Sequence, residues 1–286
     1  MLGAIIGDMV GSVYEFKRGC SKDFDIYNKS NKMTDDSLLT LAVAKVLIDN
    51  YPIDYSNKGL NVIKEQLKKE FIKAVNENPF VGWGSMFFAW ATNSDGNNYV
   101  PYNSFGNGSA MRISPVGWIA NSIEEVKILS KAVTEITHNH QEGIKGAEAI
   151  AVCIYLARNG SSINEIRNFV QEHYYPEIQN FDFDVLRMTY RFNATCQKSV
   201  PQAIYCFLVS SSLEDTIRNC VAIGGDTDTI GAMAGAIAEA YYQKDEISNF
   251  EQKFISQFLT KENKRIIKKL FTIIGNHKYD DEEKNE

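Results

Sequence analysis

One short pattern, found at three places, marks where helices of this chain begin. A serine stands three residues before an acidic residue, just ahead of an apolar run, in Ser122-x-x-Glu125, Ser162-x-x-Glu165 and Ser212-x-x-Asp215. The serine hydroxyl accepts a hydrogen bond from the first helical turn, and the acid reaches back to the N–H of the serine. Prolines number six in 286 residues, and runs of alternating apolar and polar residues are few. The sequence therefore predicts an all-α fold.

The chain has no internal repeat and no linker rich in Pro, Gly and Ser, so we expect a single domain over residues 1–277. Residues 278–286 are almost entirely polar or charged, which predicts a disordered tail. Apolar residues recur every three or four positions over residues 246–274 and indicate one helical stripe. Residues 93–108 form the longest stretch rich in Asn, Ser and Gly, and a loop of that length is more often functional than accidental.

Charge and cysteine usage exclude several classes of protein. A net charge of −6 argues against a surface that binds nucleic acid or anionic lipid through a basic excess. The five cysteines include no C-x-x-C pair, which indicates reduced thiols in a cytoplasmic protein. The apolar start lacks the basic residues of a signal peptide and is broken by Asp8, and no stretch is apolar enough to span a membrane. We expect a monomer without a membrane partner.

The segment Asp226-Thr227-Asp228-Thr229 offers two carboxylates and two hydroxyls after a flexible Gly-Gly. Such oxygen ligands suit Mg²⁺, Mn²⁺ or Ca²⁺ better than zinc. The helix that follows repeats small residues, which let a neighbouring helix approach closely and fix the helix start. A helix start repels a cation, so a metal there needs several carboxylates to reverse the local field.

A second acidic group, Thr34-Asp35-Asp36, also precedes an apolar helical run. Taken alone, these residues are better explained as an N-cap with two acids that complement the helix dipole, worth up to about 1 kcal/mol each. Facing the first group, they would complete a cation site. We therefore predict that the helix starts near Thr34 and Gly225 meet in one oxygen-lined cleft.

Two other interpretations of Asp226-x-Asp228-Thr229 are possible. A calcium-binding EF-hand loop fails because Ile230 stands where the third acidic ligand belongs. The nucleophile motif of haloacid-dehalogenase-like phosphatases is similar, but it should open a doubly wound α/β domain, whereas a helical remainder follows here. The phosphatase is the less favoured alternative.

Three further segments carry candidate site residues. The glycines of residues 101–112 can bring backbone N–H groups to a phosphate, although a single Gly-Asn-Gly is more commonly an ordinary turn. His138 and His140 lie at a break between helices and, without a third ligand, indicate caps or hydrogen-bonding side chains rather than zinc. By spacing alone, Glu15 fits a solvated surface acid.

Five blocks in one order make a specific signature: G-D-x-x-G-S-x-x-E at residues 7–15, T-D-D at 34–36, G-N-G-x-A-M-R at 106–112, T-H at 137–138 and G-G-D-T-D-T-I-G at 224–231. In these blocks, over nearly its whole length, the chain resembles the ADP-ribosylglycohydrolase family. The resemblance implies an all-α, single-domain orthogonal helical bundle with a binuclear metal cleft that holds two Mg²⁺, or sometimes Mn²⁺.

By matching motif positions, the resemblance implies a metal site made of Thr34, Asp35, Asp36, Asp226, Asp228 and Thr229. Asp228 would lie between the two ions. Glu15 would approach the second ion or its water and is our candidate general base, with Asp35 as the other candidate catalytic residue.

The resemblance also implies a substrate site made of Ser104, Phe105, Gly106, Asn107, Gly108, Ser109, Met111 and His138. Backbone N–H groups of this loop would hold the diphosphate. Phe105 and His138 would lie against the distal ribose or the adenosine.

The implied reaction is hydrolysis of the bond between the anomeric carbon of ADP-ribose and an acceptor on a protein or a small conjugate. Ordinary glycosidases use two carboxylates for the oxocarbenium-like state that such cleavage passes through. Here the metals would orient the ribose hydroxyls and lower the pKa of the attacking water. The acceptor stays open among arginine, serine, an acetyl ester and a nucleic acid base. A catalytically silent ADP-ribose-binding relative is the main alternative.

Overall fold

The computed structural model describes residues 1–17, 20–93, 99–242, 246–276 and 278–279. In these ranges the chain forms α-helices and two short 3-10 turns, and β structure is limited to one isolated bridge between Gly106 and Thr195. The all-α prediction is confirmed. The described residues contain no doubly wound sheet, so the phosphatase alternative is wrong.

The helices are, in chain order, α1 (Leu2–Gly11), α2 (Asp35–Asp49), α3 (Asn57–Glu77), α4 (Ser85–Ala91), α5 (Ser114–Ile119), α6 (Ile123–Thr134), α7 (Gln141–Arg158), α8 (Ile163–His173), α9 (Phe183–Thr189), α10 (Cys196–Leu208), α11 (Leu213–Ile223), α12 (Thr227–Tyr242), α13 (Asn249–Phe258) and α14 (Lys261–Ile273). None of them, within the part of the chain that is described, combines the length and apolar character that crossing a membrane requires.

The three predicted helix starts are confirmed, since Ser122, Ser162 and Ser212 cap α6, α8 and α11 through their hydroxyls. The reciprocal bond is complete at Ser162, whose N–H donates to Glu165 at 2.7 Å. At the other two starts, the acid accepts instead from the N–H of the residue before the cap. The same pattern therefore fixes the helix start in two slightly different ways.

The stripe predicted over residues 246–274 is divided between two helices. Leu259 is extended after α13, and the Thr260 hydroxyl accepts from the N–H of Asn263 to begin α14. A two-residue break leaves the apolar spacing almost unchanged, which is why periodicity alone missed it.

The predicted charged tail begins with two packed residues. Lys278 Nζ lies 2.9 Å from Glu251 Oε1, and the Tyr279 hydroxyl donates to Glu239 at 3.0 Å, with all four side chains buried. Lys278 and Tyr279 thus belong to the folded domain. The rest of the predicted tail, residues 280–286, lies outside the described residues.

Helix α12 is the centre of the bundle and packs against α1, α7, α10 and α11. Its residues from Thr227 to Ala240 are all buried. The small residues of α12 predicted a close neighbouring helix without identifying it. The structure shows that this neighbour is α1, which runs antiparallel to α12. A Cβ added at Gly7 would lie 2.0 Å from the carbonyl oxygen of Gly231, so the two backbones touch. This contact brings the end of α1 to the start of α12, where the acidic residues lie.

Candidate metal centre and cleft

The starts of α2 and α12 meet, as predicted. The Asp36 Oδ2 atom lies 3.3 Å from the Thr34 hydroxyl and 3.4 Å from the Thr229 hydroxyl. Asp36 and Thr229 are 193 residues apart in the sequence. One oxygen each of Asp8, Asp36 and Asp228 lies within 4.8 Å of the other two. Carboxylates from three helices therefore converge on one point.

Asp8 joins α1 to the start of α2. Its carboxylate accepts from the N–H and hydroxyl of Thr34, at 2.9 and 2.6 Å, and from the N–H of Ser37 at 3.1 Å and the Ser37 hydroxyl. Thr34 is the N-cap residue of α2 but makes no capping bond with its own side chain. Asp8 therefore caps α2 from another helix and fixes the orientation of the Thr34 to Asp36 segment.

A second group of carboxylates shares one member with the first. Glu15, Asp226 and Asp228 each have an oxygen within 4.8 Å of the other two. Asp226 also accepts from the Asn107 side-chain amide at 2.8 Å, and Asp228 accepts from the N–H of Thr229 at 2.9 Å. Asp228 is thus the residue common to both groups.

The gathered acids disfavour each other's ionised forms. Burial, followed by the charge of neighbouring carboxylates, raises the pKa of Asp35, Asp36 and Asp226 well above the usual range. Burial and then Asp228 raise the pKa of Asp8 to about 7, and that of Glu15 to about 7. A bound cation would reverse this penalty, because it favours the charged form of every one of these groups.

The donor set fits a hard divalent cation. Every ligand atom in the two groups is oxygen, and Asp36 Oδ1 is buried with no hydrogen-bond partner among the described residues. A buried carboxylate oxygen that lacks a donor is costly unless a cation faces it. Mg²⁺ and Mn²⁺ favour such carboxylate and hydroxyl oxygens.

The carboxylates form the floor of a cleft with a volume of about 470 Å³. All the predicted metal-site residues and Glu15 line it, and so do six of the predicted substrate residues: Ser104, Gly106, Asn107, Gly108, Met111 and His138. Asp35 lies on the wall, half-buried, and belongs to neither group of three. The five sequence blocks therefore surround one cavity.

A model of the ADP-ribosylglycohydrolase family matches residues 1–269. The chain belongs to this family. ADP-ribosylhydrolase ARH3 of Mus musculus is 25% identical to it over 336 residues, covering 90% of this chain and 86% of the mouse protein. The ADP-ribosyl-[dinitrogen reductase] glycohydrolase of Rhodospirillum rubrum is 23% identical over 96% of this chain and 95% of its own length. ADP-ribosylarginine hydrolase Tri1 of Pseudomonas putida is 22% identical over 85% of this chain and 69% of its own length.

A solved structure titled ADP-ribosylglycohydrolase-related protein complex has the same fold. It superposes with a TM-score of 0.69 at 19% identity and covers 96% of this chain and 97% of its own chain. The similarity extends over whole chains, which agrees with the family match.

Two residues that the family resemblance nominates for substrate lie away from the cleft wall. Ser109 is fully buried and donates to the carbonyl of Gly143 at 2.8 Å, because it belongs to the 3-10 turn Asn107–Ser109 that packs on α7. Phe105 is 47% exposed and meets the edge of His140, with ring centroids 5.4 Å apart. Neither side chain lines the cleft, and neighbouring residues of the same loop form its wall instead.

The loop also uses some of the N–H groups expected to hold a diphosphate. The N–H of Gly106 donates to the Ser104 hydroxyl at 3.1 Å, and that of Asn107 donates to the carbonyl of Ala194 at 2.9 Å. These two groups hold the loop itself in this structure, and their role in binding a diphosphate stays a prediction.

Several residues of the site were not predicted from the sequence. Among them, Asp8 holds the start of α2, and Lys32, Tyr102 and Arg112 line the cleft. Asp8 had a usable signal, since a single acid in the otherwise apolar and small-residue helix α1 must find partners when buried. Arg112 stands in the G-N-G-x-A-M-R block but is fully buried, which its charge did not predict.

The outer wall of the cleft is apolar. Phe80 is 96% exposed, Met86 56% and Phe192 44%, and all three line the cleft. The floor is thus acidic and the mouth is apolar, an arrangement that suits a ligand with a polar core and a planar or apolar end.

Proposed function

We propose that this member of the ADP-ribosylglycohydrolase family is a Mg²⁺-dependent hydrolase, with Mn²⁺ as an alternative, that releases ADP-ribose from a modified protein or small conjugate. The observation that carries the proposal is the pair of carboxylate groups that share Asp228 at the floor of a cleft of about 470 Å³. Clefts of roughly 300–1,000 Å³ hold ligands of nucleotide size.

The metal ligands in this proposal are Thr34, Asp35, Asp36, Asp226, Asp228 and Thr229. Asp228 would be a ligand in both halves of the site, since it contributes to both carboxylate groups. Two bound cations would polarise the ribose hydroxyls and make a water molecule more acidic. Asp8 would hold the Thr34 segment in place through its bonds to α2.

Glu15 is the group we assign to proton transfer. It is half-buried on the cleft wall, and one of its carboxylate oxygens lies within 4.8 Å of ligand atoms of Asp226 and Asp228. In this position it can orient a water and take its proton as the water attacks the anomeric carbon. Asp35, the other catalytic candidate, lines the same cleft.

The loop from Ser104 to Met111 and His138, which borders the carboxylates through the bond from Asn107 to Asp226, would hold the rest of ADP-ribose. All five cysteines are unpaired, which suits a reducing compartment such as the cytoplasm. We propose that the protein acts as a monomer. One relative bears a name that specifies ADP-ribosylarginine, and arginine is therefore the first acceptor to test.

The test offers the protein, with Mg²⁺, four acceptors that carry ADP-ribose: an arginine protein, a serine peptide, an acetyl ester and a nucleic acid. Free ADP-ribose is measured for the wild type and for Asp228→Asn. Release from at least one acceptor by the wild type, abolished in the variant, supports the proposal. Tight binding of ADP-ribose without release from any acceptor would identify a silent relative, and absence of both would reject the assignment of the cleft.

A further inference from the structure

Arg112 is a buried cation on the cleft wall that the proposed chemistry does not use. Its side chain is fully buried, with Cζ 4.6 Å from the centre of the Phe71 ring. Its Nε and Nη1 atoms have no hydrogen-bond partner among the described residues. Its Nη2 atom donates to the Thr137 hydroxyl at 2.7 Å. A buried guanidinium with so few partners is costly, so the bond that it does make is of interest.

That bond continues to the cleft. The Thr137 hydroxyl oxygen lies 2.8 Å from Nδ1 of His138, which lines the cleft. A guanidinium can only donate, so Thr137 must accept from Arg112. The hydroxyl proton of Thr137 is then available to Nδ1 of His138 when this nitrogen carries its lone pair, which is the arrangement that gives each of the three groups one partner.

The charge of Arg112 favours the same arrangement. A positive guanidinium attracts the lone pair of Nδ1 and repels an N–H dipole pointed at it. Tyr102 is a competing partner for the Thr137 proton, but a neutral phenol can also donate to the Thr137 oxygen, and the positive charge of Arg112 favours the arrangement in which Nδ1 of His138 receives the proton. Burial and then the Arg112 charge also hold the pKa of His138 well below its usual range, so the ring is neutral.

In a neutral imidazole with an accepting Nδ1, the proton resides on Nε2. That atom lies over the glycine loop, since a Cβ added at Gly108 would be 3.2 Å from it and one at Gly106 would be 3.6 Å away. Within the described part of the chain, Nε2 has no hydrogen-bond partner. The Nε2–H group is therefore free to donate to a ligand in the cleft.

We propose that Arg112 and Thr137 are positioning residues that hold His138 in the Nε2–H tautomer, so that the cleft presents a fixed, neutral donor to an oxygen acceptor of ADP-ribose. The inference rests on the proposed function for the identity of the ligand. With the opposite tautomer, a lone pair on Nε2 would face the ligand and repel a phosphate oxygen.

The test is the tautomer itself, measured by two-bond ¹H–¹⁵N correlation on the magnesium-loaded protein. The chain has four histidines, and the signals of His138 are those lost in His138→Gln. We expect the Nε2–H pattern in the wild type, a mixture of tautomers in Thr137→Val, and restoration in Thr137→Ser. The matched control is Thr134→Val, which removes the hydroxyl of another fully buried threonine.

Calorimetric titration with free ADP-ribose supplies the functional readout. Loss of one well-oriented hydrogen bond corresponds to about a tenfold weaker Kd for Thr137→Val. Thr137→Ser and Thr134→Val should bind like the wild type. An Nδ1–H pattern in the wild type, or Thr137→Val with both the wild-type pattern and wild-type affinity, would overturn the inference. If ADP-ribose does not bind to the wild type, the proposed function fails, while the wild-type spectrum still decides the tautomer.

Discussion

Replacing Asp36 by Asn should make the metal-free protein more stable and the metal-loaded protein less stable than the wild type. The Asp36 carboxylate lies within 4.8 Å of oxygens of Asp8 and Asp228, and its own hydrogen bonds are long, at 3.3 and 3.4 Å. The amide keeps the size of the side chain, removes its charge and can donate to a neighbouring carboxylate. Little favourable bonding is lost, and repulsion is removed.

The magnitude follows from the distances. Two unit charges 4.8 Å apart repel by about 3 kcal/mol at an effective dielectric constant of about 20. Burial and the neighbouring carboxylates raise the pKa of Asp36, which reduces the repulsion that its charge contributes, so we expect Asp36→Asn to add about 2 kcal/mol to the unfolding free energy in chelator. A cation present at a hundred times its Kd should stabilise the wild type by about 3 kcal/mol and the variant much less. The order of stability should therefore reverse.

The assay is urea unfolding at pH 8, once in chelator and once in excess Mg²⁺. The control is Glu165→Gln, which removes an acid from the exposed capping box of α8. It should lose a few tenths of a kcal/mol equally in both conditions. If Asp36→Asn is also less stable than the wild type by the same amount in both conditions, the acids are helix caps and the metal interpretation is wrong.

Four further predictions test other parts of the account. Asp228→Ala should lose all stabilisation by Mg²⁺, whereas Asp35→Ala, which removes an acid that belongs to neither carboxylate group, should keep part of it in the same denaturation assay. Glu15→Gln should lower kcat by about a hundredfold or more while ADP-ribose still binds, as steady-state kinetics and titration would show. Gly7→Ala should lower the unfolding free energy by about 3 kcal/mol, because its Cβ would lie 2.0 Å from a carbonyl oxygen of α12. In chelator, the unfolding free energy, measured by urea denaturation, should fall as pH rises from about 4 toward 7. The pKa of Asp8 is raised from 3.8 to about 7 in the folded protein, so between these values the folded state binds a proton that the unfolded state has lost. Excess Mg²⁺ should remove this dependence on pH.

Local signals in the sequence predicted the helix starts and the meeting of the two acidic groups. Ser122, Ser162 and Ser212 cap their helices through contacts three residues away, which a sequence displays directly. The small residues of α12 required a close neighbour, and the structure identifies it as α1. No local pattern could name that partner, because the contact joins the two ends of the chain.

The missed parts of the site depend on contacts between distant segments. Asp8 was noted as the break in an apolar start and as a letter of the 7–15 block, without a role of its own, yet it caps α2 from α1. Ser109 was assigned to substrate from its place in a motif, but the 3-10 turn directs its hydroxyl to Gly143. Arg112 belongs to the same motif, and the direction of its side chain became clear only with the positions of Phe71 and Thr137.

The most direct test of the metal centre is anomalous diffraction from crystals soaked with Mn²⁺. We predict strong anomalous peaks between Asp36 and Asp228, with Asp228 in contact with both if two ions bind about 3.5–4 Å apart. Soaked crystals of Asp228→Asn should show these peaks weakened or gone. Well-ordered wild-type crystals with no anomalous peak at this site, at Mn²⁺ concentrations that support hydrolysis, would contradict the account.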